Sequence, residues 1–183
     1  MHQIGLILDS IMLPEAGLFL GFLVLFLMLW VVLRRLKKMK RTMATLELAH
    51  LELYYQSSEM RTWRRRLITT DRTNMKDVQS CSREILHFFD RLGSLVQRGL
   101  LPQKEIWPSF GIPVWGYFSL LVPFIQWLRT EERDPDLYIC FEELNEAAAR
   151  LNKKIDRKRA NPLMAEEELE RFIEEEKSAL IDF

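Results

Sequence analysis

The chain has 183 residues, of which 48% are apolar and 28% are charged, and its formal net charge at pH 7 is zero. This balance is typical of a folded protein and excludes an intrinsically disordered chain. The neutral total conceals a polarised distribution, with 16 basic and 7 acidic residues between positions 34 and 104, against 10 and 16 between positions 129 and 183.

The most apolar stretch runs from Ala16 to Leu33 and contains about 18 residues without a charge. At a rise of 1.5 Å per residue it nearly crosses a hydrocarbon core of roughly 30 Å, so it predicts a transmembrane helix. A buried core helix is the weaker alternative, because such a helix ordinarily keeps a polar face and this stretch has none. Residues 1–15 are then a short extracytoplasmic flank, whose charged side chains are Asp9 and Glu15.

Six basic residues follow this stretch at once: Arg34, Arg35, Lys37, Lys38, Lys40 and Arg41. Basic residues beside a span are retained in the cytoplasm, which places the N-terminus outside and the rest of the chain inside. We therefore expect a single-pass protein that contacts the lipid bilayer through residues 16–33 and through this basic flank.

Residues 34–70 predict a juxtamembrane and stalk helix, because no Pro or Gly occurs between Leu36 and Leu67. Two apolar stripes run along it: Leu36, Met39, Met43, Leu46, Leu53, Met60 and Leu67 in the first, and Ala44, Leu48, Leu51 and Tyr55 in the second. Two stripes form a wide apolar face, which favours packing in a helical domain over a narrow two-stranded coiled coil. A homodimer through the stalk remains the alternative.

An arginine cluster closes this segment, with Arg61, Arg64, Arg65 and Arg66 around Trp63. Such a cluster can bind phosphate groups, although a charge run is more often a solvated helix face. No other nucleic-acid-binding signature accompanies it, so we expect no nucleic-acid partner. The four arginines are candidate interaction residues.

Residues 71–160 predict a helical domain, and its clearest helix follows Asn74, a good N-cap, with Asp77 in the first turn. One apolar face runs along this helix: Val78, Cys81, Ile85, Phe88, Leu92 and Leu95. Gly99 can adopt the left-handed conformation that ends a helix in a Schellman motif. Gly93 predicts a close helix crossing, and Asp90 an ion-pair or capping partner that fixes it.

The stretch from Phe110 to Leu128 contains about 19 uncharged residues and allows two interpretations. Its internal Gly, Ser, Pro and Gln residues, and the lack of a basic stop segment, favour a buried core helix over a second membrane segment. Before it, Pro102 is expected to start a short helix that Pro108 stops, and Pro113 is expected at the first position of the next helix.

Two more helices complete the prediction. Asp134 is expected as an N-cap with Pro135 at the first helical position, and apolar residues then recur at helical spacing as far as Ile155. Residues 161–183 predict an acidic helix with a thin apolar stripe that includes Leu169, Phe172 and Ile173. We expect this helix to dock on a partner and to add little to the core.

Four stretches between about residues 46 and 151 carry a resemblance: MRTWRRRL, ILHFFDRLGSLVQRGLL, YFSLLVPFIQWLR and DPDLYICFEEL. The second is the most specific, with Phe89-Asp90 before Leu92-Gly93. Together they resemble a family of uncharacterised helical domains, catalogued as a domain of unknown function, that bacteria and phages encode and that is often membrane-anchored. The resemblance implies an all-helical fold and a bacterial inner membrane, and it transfers no activity.

Motifs with chemical meaning are missing from the sequence: there is no phosphate loop, HExxH, CxxC pair, G-x-S-x-G elbow or EF-hand loop. Cys81, His87 and Asp90 lie on one predicted helix, but Cys81 and His87 are on different faces. The sequence therefore predicts no enzyme, no catalytic or metal-binding residues and no cofactor.

The resulting hypothesis is an all-α protein whose single N-terminal transmembrane helix continues into a cytoplasmic helical bundle. It would bind another protein as an interaction or regulatory module. A different class of function is the alternative: a membrane-active effector, similar to a toxin or an abortive-infection protein, that inserts the stretch from Phe110 to Leu128 into the bilayer.

Overall fold

A computed structural model describes residues 3–155 and 161–181, with side chains for residues 21–151 and 161–180. Six helices make up this part of the chain: α1 (Gln3–Tyr55), α2 (Ser58–Thr69), α3 (Met75–Gln97), α4 (Gln103–Glu132), α5 (Ile139–Ile155) and α6 (Glu166–Ile181). The predicted all-α fold is confirmed for the described residues. The chain divides into two compact units, Met1–Thr45 and Leu46–Phe183.

The second unit is organised around α3 and α4. Helix α3 packs against α2, α4 and α5, and α4 also packs against α5 and α6. Aromatic rings fill the centre: Phe89 stacks on Phe141 with centroids 4.9 Å apart, and it also contacts the rings of Phe88 and Tyr117 at 5.1 and 5.6 Å. Such ring pairs stabilise a core beyond the area that they bury.

Both predicted ends of α3 are confirmed. The side chain of Asn74 accepts a hydrogen bond from the Lys76 amide at 3.2 Å, as an N-cap should. Gly99 has a φ of 63°, and its amide donates to Val96 while the Leu100 amide donates to Leu95, which is the Schellman pattern. Five of the six predicted face residues are buried, and Leu95 is half-buried.

The close crossing predicted at Gly93 joins α3 to α5. A Cβ atom added at Gly93 would lie 2.0 Å from the carbonyl oxygen of Cys140, so only glycine fits. Three residues earlier, Asp90 accepts a hydrogen bond from the Phe141 amide at 3.1 Å. Asp90 therefore caps the start of α5 from a neighbouring helix, as its predicted capping role requires.

The predicted stalk helix is wrong in its extent. Helix α1 ends at Tyr55, and Ser57 caps the separate helix α2 by accepting a hydrogen bond from the Met60 amide at 3.2 Å. The second compact unit begins at Leu46, inside the predicted stalk, and not at residue 71. The reason is the second apolar stripe, because its members Leu51 and Tyr55 are buried in this unit.

The prolines at the start of α4 do not divide it, contrary to the prediction. Pro108, Pro113 and Pro123 all lie inside one 30-residue helix. An interior proline costs about 3 kcal/mol, but burial of one large apolar side chain contributes about 1.5–3 kcal/mol, and 13 residues of α4 are buried. Packing therefore outweighs the loss of individual hydrogen bonds.

Among the residues with described side chains, which leave out residues 1–20, α4 is the one helix that is long and apolar enough to cross a membrane. Of its apolar window, 61% is buried. This burial is the state that the core-helix interpretation of residues 110–128 predicts.

Helix α5 begins at Ile139, five residues after the predicted N-cap. Asp134 instead accepts a hydrogen bond from the Asp136 amide at 3.0 Å and so stabilises a turn. Arg133 and Tyr138, at the two ends of this turn, have φ values of 54° and 59°. Helix α5 therefore starts after this turn, at Ile139, where Asp90 of α3 caps it.

Candidate interaction surfaces

The predicted membrane-proximal surface lies on α1 in the first unit. All six residues of the basic flank are exposed, and the guanidinium carbon of Arg34 lies 4.1 Å from the ring centroid of Trp30. Twelve consecutive apolar residues, Phe22 to Leu33, precede the flank, and each is 46–71% exposed. Residues 16–20 of the predicted span lie outside the described side chains.

The four arginines of the predicted cluster do not share one surface. Arg65 and Arg66 are exposed, and Arg66 lies over the ring of Trp63 at 5.2 Å. Arg61 is half-buried, whereas Arg64 is only 4% exposed. The solvated-face interpretation is therefore wrong for Arg64. The signal was in the spacing, because Met60, Arg64 and Leu67 recur at the helical repeat and share the buried face.

Arg64 joins three helices through one buried polar network. Its Nη2 atom lies 2.5 Å from Oε2 of Glu176 on α6, and its Nε atom donates to the Tyr117 hydroxyl on α4 at 3.1 Å. The Tyr117 hydroxyl in turn donates to Oε2 of Glu176 at 2.8 Å. The guanidinium also stacks on Tyr55, 4.1 Å from its ring centroid.

The electrostatics of this network indicate a structural role. Burial, with the negative charge of Glu176 as a further contribution, raises the pKa of Tyr117 well above its ordinary value, so Tyr117 stays a hydrogen-bond donor. Oε2 of Glu176 receives hydrogen bonds from Arg64 Nε, Arg64 Nη2 and Tyr117, and the Glu176 side chain is only 12% exposed. This carboxylate oxygen is therefore occupied by hydrogen bonds within the protein and is not available to bind a substrate.

The predicted docking residues of α6 are partly core residues. Phe172 and Ile173 are 4% and 7% exposed, and the Phe172 ring packs edge-on against Tyr117 with centroids 5.2 Å apart. A Cβ atom at Gly116 would lie 2.5 Å from this ring, so glycine makes room for it. The expectation that α6 adds little to the core is wrong, because Phe172 closes the surface of α4. Leu169 remains half-buried.

No group of three or more His, Cys, Asp or Glu side chains that could hold a metal ion occurs among the described residues. Cys81 is buried, His87 is exposed and packs against the Tyr138 ring, and Asp90 caps α5. Burial also raises the pKa of the thiols of Cys81 and Cys140, which disfavours the nucleophilic thiolate form.

Among the clefts on the second unit, two lie beside predicted interaction residues. One, of about 350 Å³, lies beside Trp63 and is lined by Lys76, Arg83 and Glu84 together with polar side chains. The other, of about 260 Å³, lies between α2, α3, α4 and α6 and has Arg72 and Leu169 in its lining. Leu169, which the sequence predicted only as a docking residue, therefore lines this second cleft.

Comparison with known proteins identifies one family. A family model described as a domain of unknown function, DUF4760, matches residues 15–150. No curated protein and no solved structure matches the chain. The matched region includes Arg64 and Tyr117 but stops before α6, so Glu176 comes from outside it. Since the match covers well over half of the sequence, the chain belongs to the DUF4760 family of domains of unknown function.

Proposed function

We propose that the protein is a membrane-anchored helical module that binds another protein in a regulatory role and has no catalytic activity. In this proposal residues 16–33 span a bacterial inner membrane, the N-terminus lies outside, and the second unit lies in the cytoplasm. The observation that carries the proposal is the run of 12 exposed apolar side chains from Phe22 to Leu33.

This run is far larger than the scattered apolar residues that a water-soluble surface tolerates. It contains no polar side chain that would let one face of the helix meet water. Such a helix is stable among lipid tails, because its backbone hydrogen bonds are made internally and its side chains are apolar. The pair of Trp30 and Arg34 at its end is typical of a membrane–water interface on the cytoplasmic side.

The chemistry of the second unit supports a binding role over catalysis. Arg64, the buried charged side chain among its described residues, is committed to holding α6, and its cysteines are disfavoured as nucleophiles. The effector alternative requires residues 110–128 to leave the core, where α4 buries large side chains such as Phe110, Tyr117 and Phe124. The burial of α4 therefore favours the anchored module.

A topology experiment tests the anchor. We expect alkaline phosphatase, which is active only outside the cytoplasm, to be silent when fused after Phe183, and a cytoplasmic fluorescent reporter at the same position to be active. The physical reason is the retention of the basic flank on the cytoplasmic side. Replacing Arg34, Arg35, Lys37 and Lys38 together by Gln should weaken this preference, whereas the same change at Arg65 and Arg66 should not.

The reverse reporter result would contradict the proposed single-pass topology with its N-terminus outside. The effector alternative predicts this result, with residues 110–128 as the second membrane segment, and so does a single span of inverted orientation. A chain recovered entirely in the soluble fraction would contradict the anchor itself.

We also propose that two copies associate in parallel through α1 after the span. Leu36, Met39 and Met43 lie at a 3-4 spacing and are 53%, 61% and 68% exposed. Such a spacing forms the seam of a two-stranded coiled coil. A shared membrane would raise the effective concentration of the two helices by holding them in one plane.

Cysteine cross-linking in membranes checks this dimer. In a Cys81→Ala, Cys140→Ser background, we expect Met43→Cys to form a disulfide-linked dimer on mild oxidation, because seam positions approach within disulfide range. Thr45→Cys is the matched control, since two residues further along a helix is the opposite side. Equal cross-linking at both positions would indicate random collision, and none at Met43→Cys would remove the proposed seam.

A further inference from the structure

The cleft between α2, α3, α4 and α6 differs in its chemistry from the polar cleft beside Trp63. Its walls are apolar and come from separate helices: Leu67 from α2, Val78 from α3, Leu121 and Phe124 from α4, and Leu169 from α6. The first four are 3% exposed or less and form the closed floor of the cleft. Met75, Pro123 and Leu169 are accessible and form its open sides. We call this space, with Arg72 at its rim, the Arg72 cleft.

Arg72 is the one charged residue among the ten that line the cleft. It lies in the turn between α2 and α3, and its side chain is exposed. Among the described residues, none forms a salt bridge with it. The adjacent carboxylate of Asp71 is engaged by the amide and hydroxyl of Thr73, at 3.0 and 2.9 Å. The guanidinium is therefore available to an anion at the mouth of an apolar space.

The interior of the cleft offers no free polar group for a ligand. Ser119, its one polar uncharged member, donates its hydroxyl to the Trp115 carbonyl at 2.8 Å and accepts from the Met164 amide at 2.9 Å. A hydroxylated ligand or a sugar would therefore lose its hydrogen bonds on entering. An unsubstituted hydrocarbon chain would lose none, and Met75 at the edge can adapt its shape to such a chain.

The volume limits the length of that chain. The cleft measures about 260 Å³, on the order of nine water volumes at ~30 Å³ each. We propose that the Arg72 cleft binds a medium-chain fatty acid of about eight to ten carbons, with its chain against the accessible side chains of Met75, Pro123 and Leu169 and its carboxylate on the Arg72 guanidinium. This site does not depend on the membrane anchor or on the proposed regulatory role.

Photolabelling of the full chain in phospholipid nanodiscs tests the site. A decanoate analogue with a diazirine at its last carbon is expected to label residues of the cleft, with the labelled peptides identified by mass spectrometry. Unlabelled decanoate should compete. Decanol and decyltrimethylammonium, which share the chain but lack the anion, should compete about tenfold more weakly, because a charge-assisted bond to arginine is lost.

Two variants separate the head group from the chain. Arg72→Gln should weaken decanoate competition about tenfold, while Arg66→Gln, an exposed arginine that does not line the cleft, should leave it unchanged. Leu169→Trp should block labelling by filling the cleft, and its thermal unfolding shows whether the fold is retained. If Leu169→Trp unfolds the protein, Arg72→Gln alone decides.

Three results would overturn the proposal. The first is equal competition by decanoate and decanol, and the second is an unchanged response of Arg72→Gln. The third is labelling of the cleft by a photoreactive phospholipid that decanoate fails to displace, which would assign the cleft to a membrane lipid chain and not to a free fatty acid.

Discussion

Replacing Arg64 by methionine is expected to lower the free energy of unfolding of the second unit by about 3–5 kcal/mol. The change removes the cation but leaves Glu176 in its buried position, 12% exposed, with only the Tyr117 hydroxyl of its former partners. An unpaired buried carboxylate is costly because the surrounding protein cannot replace its lost hydration. Urea denaturation of the full chain in mild detergent, followed by near-ultraviolet circular dichroism, measures the effect.

The double variant Arg64→Met, Glu176→Met provides the sharper test. Replacing both members of a buried ion pair by apolar residues of similar volume is often neutral or stabilising, so most of the loss should be recovered. Arg65→Met is the matched control on the same helix, and we expect a change of about 0.5 kcal/mol or less because Arg65 is exposed. Equal effects of Arg64→Met and Arg65→Met would show that the pair does not hold α6.

Phe172→Ala is expected to lower the free energy of unfolding by about 3–5 kcal/mol, in the range measured for buried aromatic residues. The ring is 4% exposed and fills the space between α6 and α4, against Gly116 and Tyr117. Alanine would leave a cavity there, since the backbone of α4 is held by its other packing contacts. The same urea titration measures this loss, and binding of the anionic dye ANS would report the opened surface.

Glu174→Ala is the control for this prediction. Its side chain is 71% exposed and pairs with Lys177 at 2.6 Å on the surface of the same helix. Exposed pairs of this kind contribute about 0.2–1 kcal/mol, so the control should be nearly neutral. If Phe172→Ala lowers the free energy of unfolding as little as Glu174→Ala does, α6 is a peripheral helix. That result would support the docking role predicted from its sequence.

The sequence predictions for the ends of α3, which depend on contacts within one helical turn, were correct, whereas several that depend on distant residues were wrong. Asn74 and Gly99 were identified correctly as the ends of α3, because capping depends on residues within one turn of each other. The expectation that a glycine inside a helix marks a close helix crossing also located the crossing at Gly93. The same expectation applies to Gly116, but there the glycine was weighed only as evidence against a membrane helix.

Boundaries set by distant partners could not be derived in this way. The α5 start at Ile139 depends on Asp90, which is 49 positions earlier in the chain and caps it across the fold. The unbroken α4 depends on neighbours that bury it on several sides, so the local penalty of its prolines misled the prediction. Burial of Arg64 required Glu176, a partner 112 positions away.

The sequence by itself determined the helical class, the apolar stretch with its basic flank and the ends of α3. Each of these follows from composition, periodicity or contacts within a few residues. Only the tertiary structure decided that α6 belongs to the core, that Arg64 is a buried partner and that Arg72 borders an apolar cleft. An amphipathic stripe or a charge run states that a residue can be buried or paired. Which helix supplies the covering surface or the opposite charge is decided when the chain folds and long-range packing repays the loss of conformational entropy.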